Sequence, residues 1–259
     1  MFKKILFFLL FFSAFSFQSY AYLLPKKSAA KNTDSHFLLT KSAIKDVDYK
    51  KLAGKTTLRK AKGKEDESYY IYLPKNYSPS MKWPLFVGVH AYSFDGAQAI
   101  AFWKPYADSK GFILVCPNFR DGYQGLGSGS VGQMKDIFEE VKKDFKIDDK
   151  KVLMTGFSAG AQFAHRFIMQ HPEYVQAVSI MAAGSYNKPN YSASAKHIKF
   201  LVMVGSNDDT RVEITRKYAQ WLQEEGYDVK FKICGGVGHE VCSEEKQSTI
   251  KLFEEMAGK

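Results

Sequence analysis

From Lys55 onward the chain alternates short apolar runs with longer stretches in which apolar residues recur every three or four positions. A short apolar run bounded by turn residues suits a buried strand, and the longer period suits a helix with one buried face. The pattern predicts strands at 56–59, 68–73, 85–89, 112–116, 152–155, 178–181, 200–204 and 229–233. It predicts helices at 97–109, 131–145, 159–170, 212–225 and 243–256. In the second of these helices Val131, Met134, Ile137, Phe138 and Val141 fall on one face. The first two strands read as a hairpin around Gly63, closed by Pro74. Strands alternating with helices place the protein in the α/β class, with a mostly parallel sheet covered on both faces.

The first 54 residues do not share this rhythm. Lys3 and Lys4 precede a largely apolar run from Ile5 to Phe17, and Ser19-Tyr20-Ala21 offers small residues for cleavage after Ala21. That is the layout of a secretory signal peptide over residues 1–21. The run is shorter than the ~20 residues a spanning helix needs. The expectation is export to the periplasm or the cell exterior. Residues 22–54 are lysine-rich and weakly patterned, an arm or linker, and residues 55–259 form the catalytic domain.

Charge refines this division. The chain has 37 Lys and Arg against 27 Asp and Glu, a formal charge of +10. A basic protein raises nucleic acid or an acidic envelope surface as a partner. Residues 22–64, however, contain eleven lysines and Arg59 against only Asp34, Asp46 and Asp48. The remainder is close to neutral. Basicity is thereby assigned to the N-terminal extension, a nucleic-acid partner loses its support, and the arm becomes a candidate for contact with an anionic surface.

The sharpest chemical signal is Gly156-Phe157-Ser158-Ala159-Gly160, between a predicted strand and a predicted helix. A G-x-S-x-G turn in that context is a nucleophile elbow, holding the serine hydroxyl above the sheet at a helix N-terminus. The Ala159 N–H then faces a developing oxyanion. A serine needs a base, and a base needs a carboxylate to orient it, in the chain order Ser, acid, His. Of the six histidines, only His239 lies beyond the last predicted strand, in the glycine-rich loop Gly235–Glu240. The acid should follow strand 200–204, where Asp208 and Asp209 compete, with Asp208 favoured and the other free to cap the next helix. The second oxyanion donor should come from the loop after strand 85–89, from the N–H of Tyr92 or else of Ser93, with His90 supporting the loop.

Tyr70–Pro74, Trp83–Tyr92, Trp103-Lys104-Pro105, Phe112–Asn118, the elbow, Gly205–Asp208 and Gly238-His239-Glu240 resemble the α/β-hydrolase superfamily. Within it the chain is similar to secreted esterases of the polyhydroxybutyrate depolymerase-like and feruloyl or acetylxylan esterase-like branch. The resemblance covers roughly residues 55–259. It implies an α/β-hydrolase fold and a serine esterase with a Ser158–Asp208–His239 triad. The implied oxyanion hole uses Tyr92 and Ala159, and no cofactor or metal is required. The family commonly carries His-Gly after the oxyanion strand, where this chain has His90-Ala91. The short connection from Met181 to Phe200 leaves no room for a large lid, which favours small-molecule or polymer-borne esters over lipid interfaces.

Three further signals stand in the sequence. Gly127–Gly132 fits G-x-G-x-x-G but begins too far from the preceding strand for a dinucleotide site. His239 and Cys242 lack the partner ligands of a zinc site. Cys234 and Cys242 bracket His239, so a disulfide between them would close that loop, while Cys116 reads as a core thiol. The competing functions are a serine peptidase of prolyl-oligopeptidase type and a non-catalytic envelope-binding protein on a hydrolase scaffold.

Overall fold

The computed structural model describes residues 49–60, 67–120, 122–123, 129–186 and 193–258. The signal peptide, most of the arm, the turn at Gly63 and the start of the Gly127–Gly132 motif lie outside them. The strands are β1 Thr56–Lys60, β2 Ser68–Tyr72, β3 Trp83–Val89, β4 Ile113–Asn118, β5 Ile147–Phe157, β6 Ala177–Met181, β7 Lys199–Gly205 and β8 Asp228–Cys234. The helices are α1 Tyr49–Leu52, α2 Gly96–Lys110, α3 Ser130–Asp144, α4 Ala159–Gln170, α5 Asp209–Glu224 and α6 Ser243–Ala257. One sheet joins all eight strands in the order β1-β2-β4-β3-β5-β6-β7-β8. The pairs β1–β2 and β2–β4 are antiparallel, and every later pair is parallel.

The central strands are apolar on both faces because both faces are covered. All seven residues of β3 and all five of β6 are buried. Leu85, Val87 and Val89 point into a core shared with Met134, Phe138, Phe163 and Phe167 of α3 and α4. Phe86, between them, points into a second core with Trp103, Phe112 and Phe253, on the side of α2 and α6. Period-two alternation thus divides each strand between two helix layers. Phe86 stacks on Phe112 with ring centroids 4.8 Å apart, and Phe112 meets Phe253 edge-on at the same distance.

Differences from the pattern-based expectation have local causes. Strand β5 begins at Ile147, not Val152. Its first residues, Asp148 to Lys151, are polar and partly exposed, so a search for apolar runs passes over them. Helix α5 begins at Asp209, three residues early, because its first turn is polar. Short 3-10 turns at Pro172–Tyr174 and Ala193–His197 are too brief to leave a periodic trace. Regular structure also precedes residue 55. Tyr49–Leu52 is helical, Ala53 bridges Leu73, and Gly54 N–H donates to Leu73 O at 2.9 Å.

Charges in the body are mixed in sign. Arg59 is buried at 5% exposure, paired with Asp144 and with Glu140 at 3.2 Å. Lys82, Lys142, Lys143 and Lys146 line, together with Asp144 and Asp149, an open cavity of about 400 Å³ near the start of β5, at the end of the sheet away from Ser158. Among the described residues no helix is long and apolar enough to cross a membrane.

Candidate active site

Parallel strands β3, β5, β7 and β8 end on one side, and their following loops carry the candidate groups. In open α/β sheets this carboxyl edge is where ligands bind. Ser158 occupies the turn from β5 to α4 with φ 55° and ψ −116°, a left-handed backbone rare for a residue with a side chain. The turn is held from both sides, since Ser158 N–H donates to Met181 O at 2.9 Å and Gln162 N–H donates to Ser158 O at 3.0 Å.

The flanking glycines have steric reasons. A Cβ on Gly156 would lie 2.3 Å from the Gly160 carbonyl carbon, and one on Gly160 would lie 2.4 Å from Val89 O. Strand, turn and helix therefore touch backbone to backbone. This contact seats the start of α4, and with it Ala159, against the β3–α2 loop that carries Tyr92.

The two loops opposite are stitched together. Ser206 N–H donates to Cys234 O, Asn207 N–H to Val237 O and Gly236 N–H to Ser206 Oγ, each at 2.8 Å. Gly205 lets them approach, since a Cβ there would lie 2.2 Å from Val237 O. The stitching presents Asp208 to His239. His239 Nδ1 lies 2.7 Å from Asp208 Oδ2, and its Nε2 lies 2.9 Å from Ser158 Oγ. A carboxylate can only accept, so Nδ1 carries the proton and Nε2 is left to accept from the serine hydroxyl. Burial lowers the pKa of His239 and the nearby Arg211 cation adds to this, while the bond to Asp208 and its charge oppose it.

Of the two competing carboxylates, the structure brings only Asp208 to the histidine. It is 4% exposed, whereas Asp209 is exposed on the first turn of α5. The capping role expected of the second carboxylate is not seen. Asp208 itself holds the N-cap position, and its side chain makes no cap bond because His239 and Arg211 use it.

The β3–α2 loop makes a turn in which Phe94 N–H donates to Ala91 O at 3.1 Å, with Ser93 at φ 65°. Tyr92 stands 53% exposed at its tip. His90 braces the loop from inside. Its Nδ1 donates to Ala91 O at 2.9 Å and its Nε2 accepts from Phe119 N–H at 3.1 Å, while the Tyr123 hydroxyl donates to His90 O. His165 is buried in α4, where burial pushes it down to about 4. His171 and His197 lie on other parts of the surface, and His36 is outside the described residues.

Cys234 and Cys242, the pair that a disulfide would join, are free thiols whose side chains interact, and Cys116 is free as well. Cys242 is also the N-cap of α6. Its Sγ accepts from Glu245 N–H at 3.4 Å, and Glu245 Oε2 accepts from Cys242 N–H at 3.0 Å. Cys116 is buried in the core, where desolvation raises its pKa.

Three residues at the site carry no motif of their own. Phe157 packs its ring on His239. Arg211 binds the second oxygen of Asp208 at 3.0 Å. Glu245 is fully buried below the His239 loop, where burial pushes it up to about 7. A capping-box reading of Cys242-x-x-Glu245 would have found the last; nothing in the sequence separates the first two from ordinary core and surface residues.

Sheet order, helix layers and elbow together define the α/β-hydrolase fold. No protein-family model matches the chain. A bifunctional acetylxylan esterase/xylanase from Neocallimastix patriciarum is 29% identical over 151 residues, which cover 54% of this chain and 21% of that protein. A ferulic acid esterase from Anaeromyces mucronatus, solved with ferulic acid, superposes with TM-score 0.61 at 15% identity over 77% of this chain and 89% of its own. A putative dipeptidyl aminopeptidase IV from Bacteroides ovatus superposes with TM-score 0.62 at 18% identity over 78% of this chain and 35% of its own. The chain thus spans about a fifth of the curated relative and about a third of the peptidase.

Proposed function

We propose that this protein is an exported serine hydrolase that cleaves carboxylic esters through an acyl-enzyme on Ser158. The observation that carries this reading is the chain Ser158 Oγ, His239, Asp208, with links of 2.9 and 2.7 Å. His239 Nε2 takes the hydroxyl proton as Oγ attacks the ester carbonyl, and Asp208 holds the tautomer and stabilises the imidazolium that forms. The tetrahedral oxyanion is received by the N–H of Ala159 and by that of Tyr92. The first helical residue has no partner four positions back, and the positive end of the α4 dipole adds to its donor. The protonated histidine then hands its proton to the leaving alcohol. Water repeats the sequence in reverse and frees the acid.

Ester over peptide follows from the weight of relatives named as esterases. The signal-peptide pattern of residues 1–21 supports export, and the lysines of the arm support contact with an anionic envelope surface. The test is labelling with a fluorophosphonate probe, followed by a panel of acetyl-sugar, feruloyl, hydroxybutyrate and short-chain esters beside a dipeptidyl anilide. Labelling should require Ser158 and vanish in Ser158→Ala. Absence of Ser158-dependent labelling would leave a non-catalytic binding protein on a hydrolase scaffold.

A further inference from the structure

Asp208 is almost completely buried and has two oxygens to satisfy. His239 takes Oδ2, and Oδ1 accepts from Arg211 Nη1 at 3.0 Å. The guanidinium is itself imperfectly satisfied. Its Nε is buried without a hydrogen-bond partner among the described residues, although its side chain is 26% exposed overall. A buried donor left unpaired costs free energy. Where a local rule is broken without a visible structural gain, function is the place to look.

We infer that Arg211 is a positioning residue for the base: it locks the Asp208 carboxylate in the rotamer that receives His239 and offsets that carboxylate's pull on the imidazole proton. This rests on the reading of Ser158, His239 and Asp208 as a triad. A carboxylate alone at 2.7 Å would hold a proton on His239 and remove the base from use at mildly acidic pH. A permanent cation on the far side of the carboxylate reduces that effect, and Arg keeps its charge at every working pH. The other ionisable groups around the cluster come from three elements. Tyr186, on the β6–β7 connection, interacts with both Asp208 and Arg211 and is pushed by burial up to about 12, so it stays neutral. Glu244 of α6 and Glu240 of the His239 loop supply negative charge, while Glu245, which interacts with Asp208, is pushed up to about 7 and is protonated through the acid limb. Among the described residues, Arg211 is a cation that bears on His239 against these carboxylates.

The test compares Arg211→Met and Arg211→Lys with wild type. In Arg211→Met the acid limb of the kcat/KM profile on a soluble ester should move up by about one pH unit. At the plateau kcat should fall about tenfold with KM unchanged, as expected when orientation of a base is lost. Arg211→Lys keeps the charge but not the planar fork, so its limb should stay near wild type while kcat recovers only in part. The His239 titration followed by NMR in the Ser158→Ala background gives the same shift independently of turnover. An unmoved limb and an unmoved His239 titration in Arg211→Met would overturn the inference, as would equal limbs in the Met and Lys variants. Fluorophosphonate labelling of wild type separates the two readings, because its failure removes the triad while its success with an unmoved limb removes only the role of Arg211.

Discussion

The imidazole of His239 lies on the ring of Phe157, with centroids 4.6 Å apart and planes inclined at 33°. Phe157 is the residue before Ser158, so the end of β5 supports both the serine and the histidine that faces it. Sequence separation hides this link, since Phe157 and His239 are 82 positions apart.

Contacts of aromatic rings are worth about 0.5–1.5 kcal/mol beyond area burial. Phe157→Leu keeps an apolar side chain but removes the flat support. We expect kcat to drop by roughly threefold to tenfold with KM little changed. A proportionate rise in KM at constant kcat would show that Phe157 serves substrate binding.

The adjacent carboxylates give a matched pair. Asp208→Asn should lower kcat by about 10⁴-fold, because an amide can present the wrong hydrogen-bonding group to His239. Asp209→Asn should leave kcat within about twofold and cost about 0.3–1 kcal/mol through the α5 dipole. Steady-state kinetics and thermal unfolding on the two variants check both statements.

Glu245 makes stability depend on pH in a direction opposite to an ordinary ion-paired acid. Its pKa rises from 4.5 to about 7 on folding, chiefly through burial, so the folded state holds its proton more tightly than the unfolded state. This stabilisation is complete below pH 4.5 and is lost as pH rises to about 7. The loss is about 3 kcal/mol. Glu245→Gln still accepts from Cys242 N–H and carries no charge. Its unfolding free energy relative to wild type should therefore improve by about that amount between pH 4.5 and 8. Urea titrations at the two pH values measure it, and parallel pH profiles would count against a buried acid.

The stitched loops predict unequal costs for one substitution. Gly205→Ala drives a Cβ into Val237 O, and the backbone there must move. We expect a loss of about 3 kcal/mol of stability and of most hydrolysis. A Cβ on Gly235 meets nothing within 4 Å, so Gly235→Ala should change stability by less than about 0.5 kcal/mol. Melting temperatures and activity of the two variants decide it.

The parts legible in the sequence were those that several residues announce together. Val152–Thr155 before Gly156, and Ala161–Ala164 after Gly160, give the elbow its strand and helix, which makes Ser158 readable. Asp208 and Asp209 could not be separated by chemistry, because only the turn of the backbone at the start of α5 sends one inward and the other to solvent. Arg211 reads as a charged residue on a polar helix face, and its bond to Asp208 appears only when that carboxylate is fixed from the other side by His239. The polar start of β5 was hidden for the same reason: its place in the sheet is set by pairing of Ile147 with Trp83, not by its own composition.

Ser158 keeps a side chain where the backbone sits at φ 55°. Glycine there would relieve a strain of about 1–3 kcal/mol, so the fold would be more comfortable without its hydroxyl. Drift toward stability at this position therefore runs toward the loss of the hydroxyl on which the proposed chemistry depends.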